Sequence, residues 1–171
     1  TRSLSGSPII ISHLTESTPF RIQNPHYPTR NRSSVSETRV DLHVKILDRE
    51  VVERAKTRDI DVLVYAPHFT RLPTARERAR RFSDEELLVV PAREIFTGDW
   101  RHRKHVLALG LEEPVPDFLR LDGAMAELER QQAVVLAPHP EFLTVSLTRE
   151  DLAAYENQIE ALEVYNPKHL A

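Results

Sequence analysis

Five apolar runs in this chain each carry a metal-ligand-type side chain near one end. His43 lies within RVDLHVKI (39–46), His68 in DVLVYAPHF (61–69), Glu94 in LLVVPAREIF (87–96), His105 in KHVLALGL (104–111) and His139 in AVVLAPHP (133–140). A single histidine at such a place is ordinarily a solvated or hydrogen-bonded loop residue. Five successive runs, four of them using histidine from a total of eight, point instead to a shared site. Imidazole and carboxylate together suit Zn, Mn or Fe, and with no cysteine in the chain a thiolate site is excluded. A metal so held lowers the pKa of a bound water and neutralises charge on a phosphoryl oxygen, which is hydrolytic chemistry. Asp41, two residues before His43, falls on the same strand face and either orients that histidine or simply stabilises its own strand end.

The elements that would position these residues follow from periodicity. The apolar runs at 39–46, 61–69, 87–96, 104–111 and 133–140, and a sixth at 159–166, read as strands. Between them lie helical patterns: 48–59 with Asp48 as N-cap, 73–83 opened by Pro73, 122–132, and 148–158 with Thr148 as N-cap. Near-continuous apolar strands alternating with amphipathic helices predict an α/β fold with a helix-covered parallel sheet, whose chemistry lies beyond the carboxyl ends of its strands.

Composition narrows the function classes. Net charge is −3 with 29% charged and 40% apolar residues, so bulk charge gives no case for nucleic-acid binding. Four glycines and the absence of any glycine-rich phosphate loop exclude a P-loop or dinucleotide site. The apolar runs are strand-sized, too short to span a membrane, and no secretory signal is visible, so a cytoplasmic location is the default expectation. Residues 1–37 are rich in Ser, Thr, Pro, Arg and Asn around one apolar island at Pro8–Ile11; they read as a disordered extension, with His13 and His26 as solvated bystanders. Residues 38–171 read as the folded domain.

The segments DLHVK (41–45), PHFT (67–70), PAREIFT (91–97), HVLALGL (105–111) and APHPEF (137–142) resemble, in order, the motifs of the PHP (polymerase and histidinol phosphatase) family. The resemblance spans about residues 39 to 166. It implies a distorted (β/α)7 barrel of the TIM type that hydrolyses phosphate esters with divalent Zn, Mn or Fe. His43, His68, Glu94, His105 and His139 then correspond to metal ligands, with Glu94 bridging metals and Glu94 and His139 at the reacting centre. Asp41, Lys45, Arg93 and Arg101, with His102, become the residues that support the ligands or meet substrate phosphate.

The departures are specific. Lys45 stands where the family has the second histidine of its first motif, Pro67 replaces an aspartate, and Pro138 replaces an alanine. The sequence ends before the family's final Ser-Asp-Ala-His strand, and His169 falls too early to be its equivalent. The expectation is therefore an incomplete barrel of about six strands, with an open edge that allows self-association, holding one or two metals and acting on a small phosphorylated substrate. The alternative is a catalytically impaired PHP-like module that binds an anion, RNA or a protein partner, to which the arginines of 71–81 would contribute. A remoter alternative is an amidohydrolase-like barrel, disfavoured because Lys45 breaks its His-x-His pair too.

Overall fold

Every apolar run becomes a strand, and a further short one joins them. A computed structural model describes residues 9–12, 38–140 and 145–165. The strands are β1 (Ile9–Ser12), β2 (Val40–Val44), β3 (Val62–Tyr65), β4 (Leu88–Thr97), β5 (Lys104–Leu109), β6 (Val134–Ala137) and β7 (Ile159–Tyr165). They form one seven-stranded sheet in the order β1-β7-β6-β5-β4-β3-β2. The six strands expected from the apolar runs are all present, and β1 adds to them. Ile9–Ser12 was read as part of an unstructured extension, yet it pairs in parallel with β7. Three consecutive β-branched residues beside an otherwise unpaired strand edge are the physical reason. The rest of 1–37, with His13 and His26, and the segment containing His169 lie outside the described residues.

The sheet is mixed, which is the second correction. β2, β3 and β4 run parallel, as do β6 and β7, but β5 is antiparallel to both its neighbours. Only residues 98–103 separate β4 from β5, too few for a crossover helix, so the chain must turn straight back. Gly98 makes that turn possible: its φ is +78°, and a Cβ there would meet the His102 carbonyl oxygen at 2.9 Å. The reversal decides where the chemistry sits. It pairs Phe96, near the end of β4, with His105, at the beginning of β5, so both strands deliver side chains to one rim.

The sheet also curls. β2 and β7 are five strand positions apart, roughly 24 Å in a flat sheet. His43 on β2 nevertheless meets Glu163 on β7 at 3.3 Å, so the sheet bends until the two strands face each other across its interior. Small and branched side chains from successive strands (Val64, Ala66, Ala92, Leu107, Leu136 and Ala161) fill that interior below the contact.

Helices cover the outer face. They are α1 (Arg49–Thr57), α2 (Leu72–Phe82), α3 (Leu121–Arg130) and α4 (Arg149–Ala154). Asp48 caps α1 by accepting from the Val51 N–H at 2.9 Å, Pro73 lies in the first turn of α2, and Thr148 closes a capping box with Asp151 on α4. α1 and α2 bury Val52, Ala55, Ala75 and Ala79 against β2, β3 and β4. α3 buries Met125 and Leu128 against Ile95, Val106 and Val135. Each fully buried leucine or methionine contributes roughly 1.5–3 kcal/mol, enough in sum to hold the curl from outside.

Candidate metal centre

Glu94 is the hub. Its strand alternates faces, so Ala92 and Glu94 point into the curl while Arg93 and Ile95 point to the helix layer. The carboxylate is fully buried, and five cation-forming groups converge on it. On Oε1 stand His105 Nδ1 at 2.9 Å and His139 Nε2 at 3.1 Å. On Oε2 stand His43 Nε2 at 2.9 Å, His68 Nε2, and Lys45 Nζ at 2.9 Å. Glu94, His105 and His139 offer ligand atoms within 4.8 Å of one another.

Each histidine arrives by a different local device. The β2–β3 register shifts between Asp41 and Val44, and such a bulge re-aims side chains, letting His43 face inward beside Leu42. Asp41 fixes this turn by accepting from the His43 backbone N–H at 3.2 Å. His68 follows β3 and is half-buried at the mouth, with Phe96 edge-on at 4.7 Å between ring centroids. His105 stacks on Phe96 at 4.1 Å. His139 follows β6 with φ +34°, a left-handed conformation that few non-glycine residues adopt.

The surroundings of His139 set which nitrogen faces the centre. Ser146 Oγ donates to the His139 carbonyl and lies 3.1 Å from His139 Nδ1. With its own hydrogen directed to that carbonyl, the hydroxyl is placed to accept from Nδ1–H, which fixes the ring with Nε2 facing Glu94 Oε1. His105 Nε2 is buried with no hydrogen-bond partner among the described residues, so a lone pair or N–H there has room for a ligand. The donor set of imidazoles and one carboxylate thus fits a divalent metal of the Zn, Mn or Fe type.

Charge in the cluster is strongly displaced. Burial opposes ionisation of Glu94, but hydrogen bonds from His105, His139, His43 and His68 prevail and hold its carboxyl far below the usual range. Burial likewise opposes charge on His43, yet the carboxylates of Glu163 and Glu94 raise its pKa to about 9. His105 moves down, chiefly because burial disfavours the imidazolium.

No protein-family model matches this chain. No curated protein matches it either. A solved structure does: the crystal structure of a two-domain protein from Bacteroides vulgatus, described as containing a predicted PHP-like metal-dependent phosphoesterase, superposes with a TM-score of 0.50 at 20% identity. The match covers 74% of this chain and 44% of that one, so the chain spans less than half of that protein's length. The two share a fold.

Of the expected site residues, the structure brings His43, Lys45, His68, Glu94, His105 and His139 together, with Asp41 supporting the His43 backbone. Three others are not brought there. Arg93 is buried on the opposite face, where its guanidinium meets Asp117 at 2.7 Å. Arg101 and His102 lie exposed in the β4–β5 turn, where both backbone N–H groups bond Asp99 and the His102 ring pairs with its carboxylate. They sit near Glu94 in sequence only, because strand alternation and the turn carry them away.

Two contributors went unread. Glu163 accepts from the His139 backbone N–H and meets His43 Nδ1, so one carboxylate steadies two histidines from separate parts of the sheet. The signal was present: within IEALEVY, Glu163 shares its face with the buried Ala161, an inward position where a charge needs a reason. Ser146 gave no such signal in sequence. Two arginines of α2 have structural duties instead: Arg76 donates to the carbonyls of Leu111 and Glu112, and Arg78 to that of Leu47.

Proposed function

We propose that this chain is a metal-dependent phosphoesterase module of the PHP type, with His43, His68, Glu94, His105 and His139 as its metal ligands. The observation that carries the reading is the convergence of four imidazoles from four separate chain segments on one buried carboxylate. The fold shared with a protein described as containing a predicted PHP-like phosphoesterase supports it, as does the order of the sequence motifs. When bound, a Zn, Mn or Fe ion would supply an activated water and neutralise charge on a phosphoryl oxygen.

The chain's own residues prepare that chemistry. Glu94 spans both halves of the ligand set through its two oxygens. Glu163 holds His43 through Nδ1 and leaves Nε2 directed at the centre, as Ser146 does for His139. His68, half-exposed at the mouth, borders the side from which a small phosphorylated substrate enters. No helix among the described residues is long and apolar enough to cross a membrane.

The test is phosphate release from an aryl phosphate after reloading chelator-stripped protein with Zn, Mn or Fe(II). Metal-stimulated release that disappears in Glu94→Gln supports the reading. No release with any of the three metals, together with no metal uptake, removes it. The module reading, an anion or RNA binder without hydrolysis, keeps Lys45 and the exposed Arg71, Arg80 and Arg81 but is weakened because Arg76 and Arg78 are engaged with the protein's own carbonyls.

A further inference from the structure

The two oxygens of Glu94 face different company. Among the described residues Oε1 has only imidazole neighbours, His105 and His139, the set compact enough to enclose an ion. Oε2 has His43 and His68 and, in addition, the Lys45 ammonium at 2.9 Å. Lys45 comes one residue after β2 ends, so the strand that delivers His43 delivers the ammonium to the same carboxylate oxygen.

An ammonium has three donors and no lone pair, so it cannot ligate a metal and it repels a divalent ion placed beside it. It does supply what a second ion would supply to Glu94: positive charge against Oε2. Its side chain is 32% exposed while Glu94 is fully buried, so the ammonium borders both the carboxylate and the solvent from which an anion arrives. One donor is directed to Glu94, and two remain for oxygen atoms of an incoming group.

Resting on the metal reading above but narrowing its ligand set, we propose that the centre holds a single divalent ion on the Oε1 side, held by Glu94, His105 and His139 while His43 and His68 stay hydrogen-bonded to Oε2, and that Lys45 takes the place of a second cation and binds a phosphate oxygen of the substrate. Lys45 is then a substrate-binding residue, and a tetrahedral phosphate monoanion or dianion lies between the ion and the ammonium. Charge is balanced by one metal and one lysine.

Metal content and inorganic phosphate binding test this together. Chelator-stripped protein is reloaded with Zn or Mn, desalted and analysed for metal, and phosphate affinity is measured by calorimetry, for wild type, Lys45→Met, Lys45→His and Lys45→Arg. The wild type retains one ion per chain, Lys45→Met retains one ion and binds phosphate about 10–100-fold more weakly. Lys45→His gains a second ion, and Lys45→Arg keeps one ion and most of the phosphate affinity. Two ions in the wild type, an unchanged phosphate affinity in Lys45→Met, or a single ion in Lys45→His would overturn the inference alone. A wild type that takes up no ion overturns the metal reading and this inference with it.

Discussion

Arg93 and Glu94 are neighbours on one strand, both buried, and they lead opposite lives. Arg93 faces the helix layer and has one partner among the described residues: its guanidinium meets Asp117, whose other oxygen accepts from the Phe96 N–H, while its buried Nε has none. Charge is matched one to one, and the pair fastens the 111–120 loop to β4, where Gly98 and Phe118 add backbone bonds. Glu94 faces the interior and has five partners for one negative charge. A buried ion with a matched counter-charge is structural; a buried carboxylate on which four imidazoles and an ammonium converge is arranged for something further. The same two residue types, one position apart, separate stability from chemistry.

The comparison can be broken from either side. The largest effect belongs to Glu94→Gln, which lowers metal affinity and metal-dependent phosphate release by at least about 100-fold, a scale that supporting partners alone already reach. Release assays and metal titrations read it, and a variant with wild-type values would reduce Glu94 to a structural residue. Asp117→Asn, on the other face, leaves Arg93 buried without its counter-charge. It costs about 3 kcal/mol of folding stability, read by denaturant unfolding, while metal affinity stays as in the wild type. A loss of metal binding in that variant would show that the two faces are not separate.

Smaller effects sharpen the boundary. Ser146→Ala frees the His139 ring, and metal affinity falls about 10–100-fold in calorimetric titration. Asp151→Asn tests an ordinary matched carboxylate, which accepts from Thr148 at the start of α4 and from Lys104. Burial opposes its charge, but those hydrogen bonds hold its pKa below the usual value. A lowered folded-state pKa stabilises above the unfolded value, and the benefit is lost as pH falls through the folded one. The variant is therefore about 1 kcal/mol less stable at neutral pH, and the difference from wild type closes below about pH 4. A gap that persisted at pH 2 would assign the loss to something other than charge.

The five convergent ligand-type side chains were legible because each interrupts an apolar run, a contrast visible without structure. Strand positions and the Asp48 and Thr148 caps were legible for the same reason: periodicity and capping are local. What escaped depends on long-range geometry. The direction of β5 turns on a six-residue connection, and its reversal explains why His105 serves the site from the start of its strand. Arg93 was misplaced because nearness in sequence is opposite facing in a strand. Glu163 acts across 120 residues on His43, a partnership that only the curl of the sheet creates. Ile9–Ser12 lacked helix or strand neighbours in sequence, and its pairing required knowing that β7 had a free edge.

The most direct measurement is elemental analysis of desalted protein after stripping with chelator and reloading with Zn, Mn or Fe(II), for wild type beside Glu94→Gln. Stoichiometric metal in the wild type and none in the variant is the predicted result. A folded wild type that retains none of the three metals would contradict the central claim.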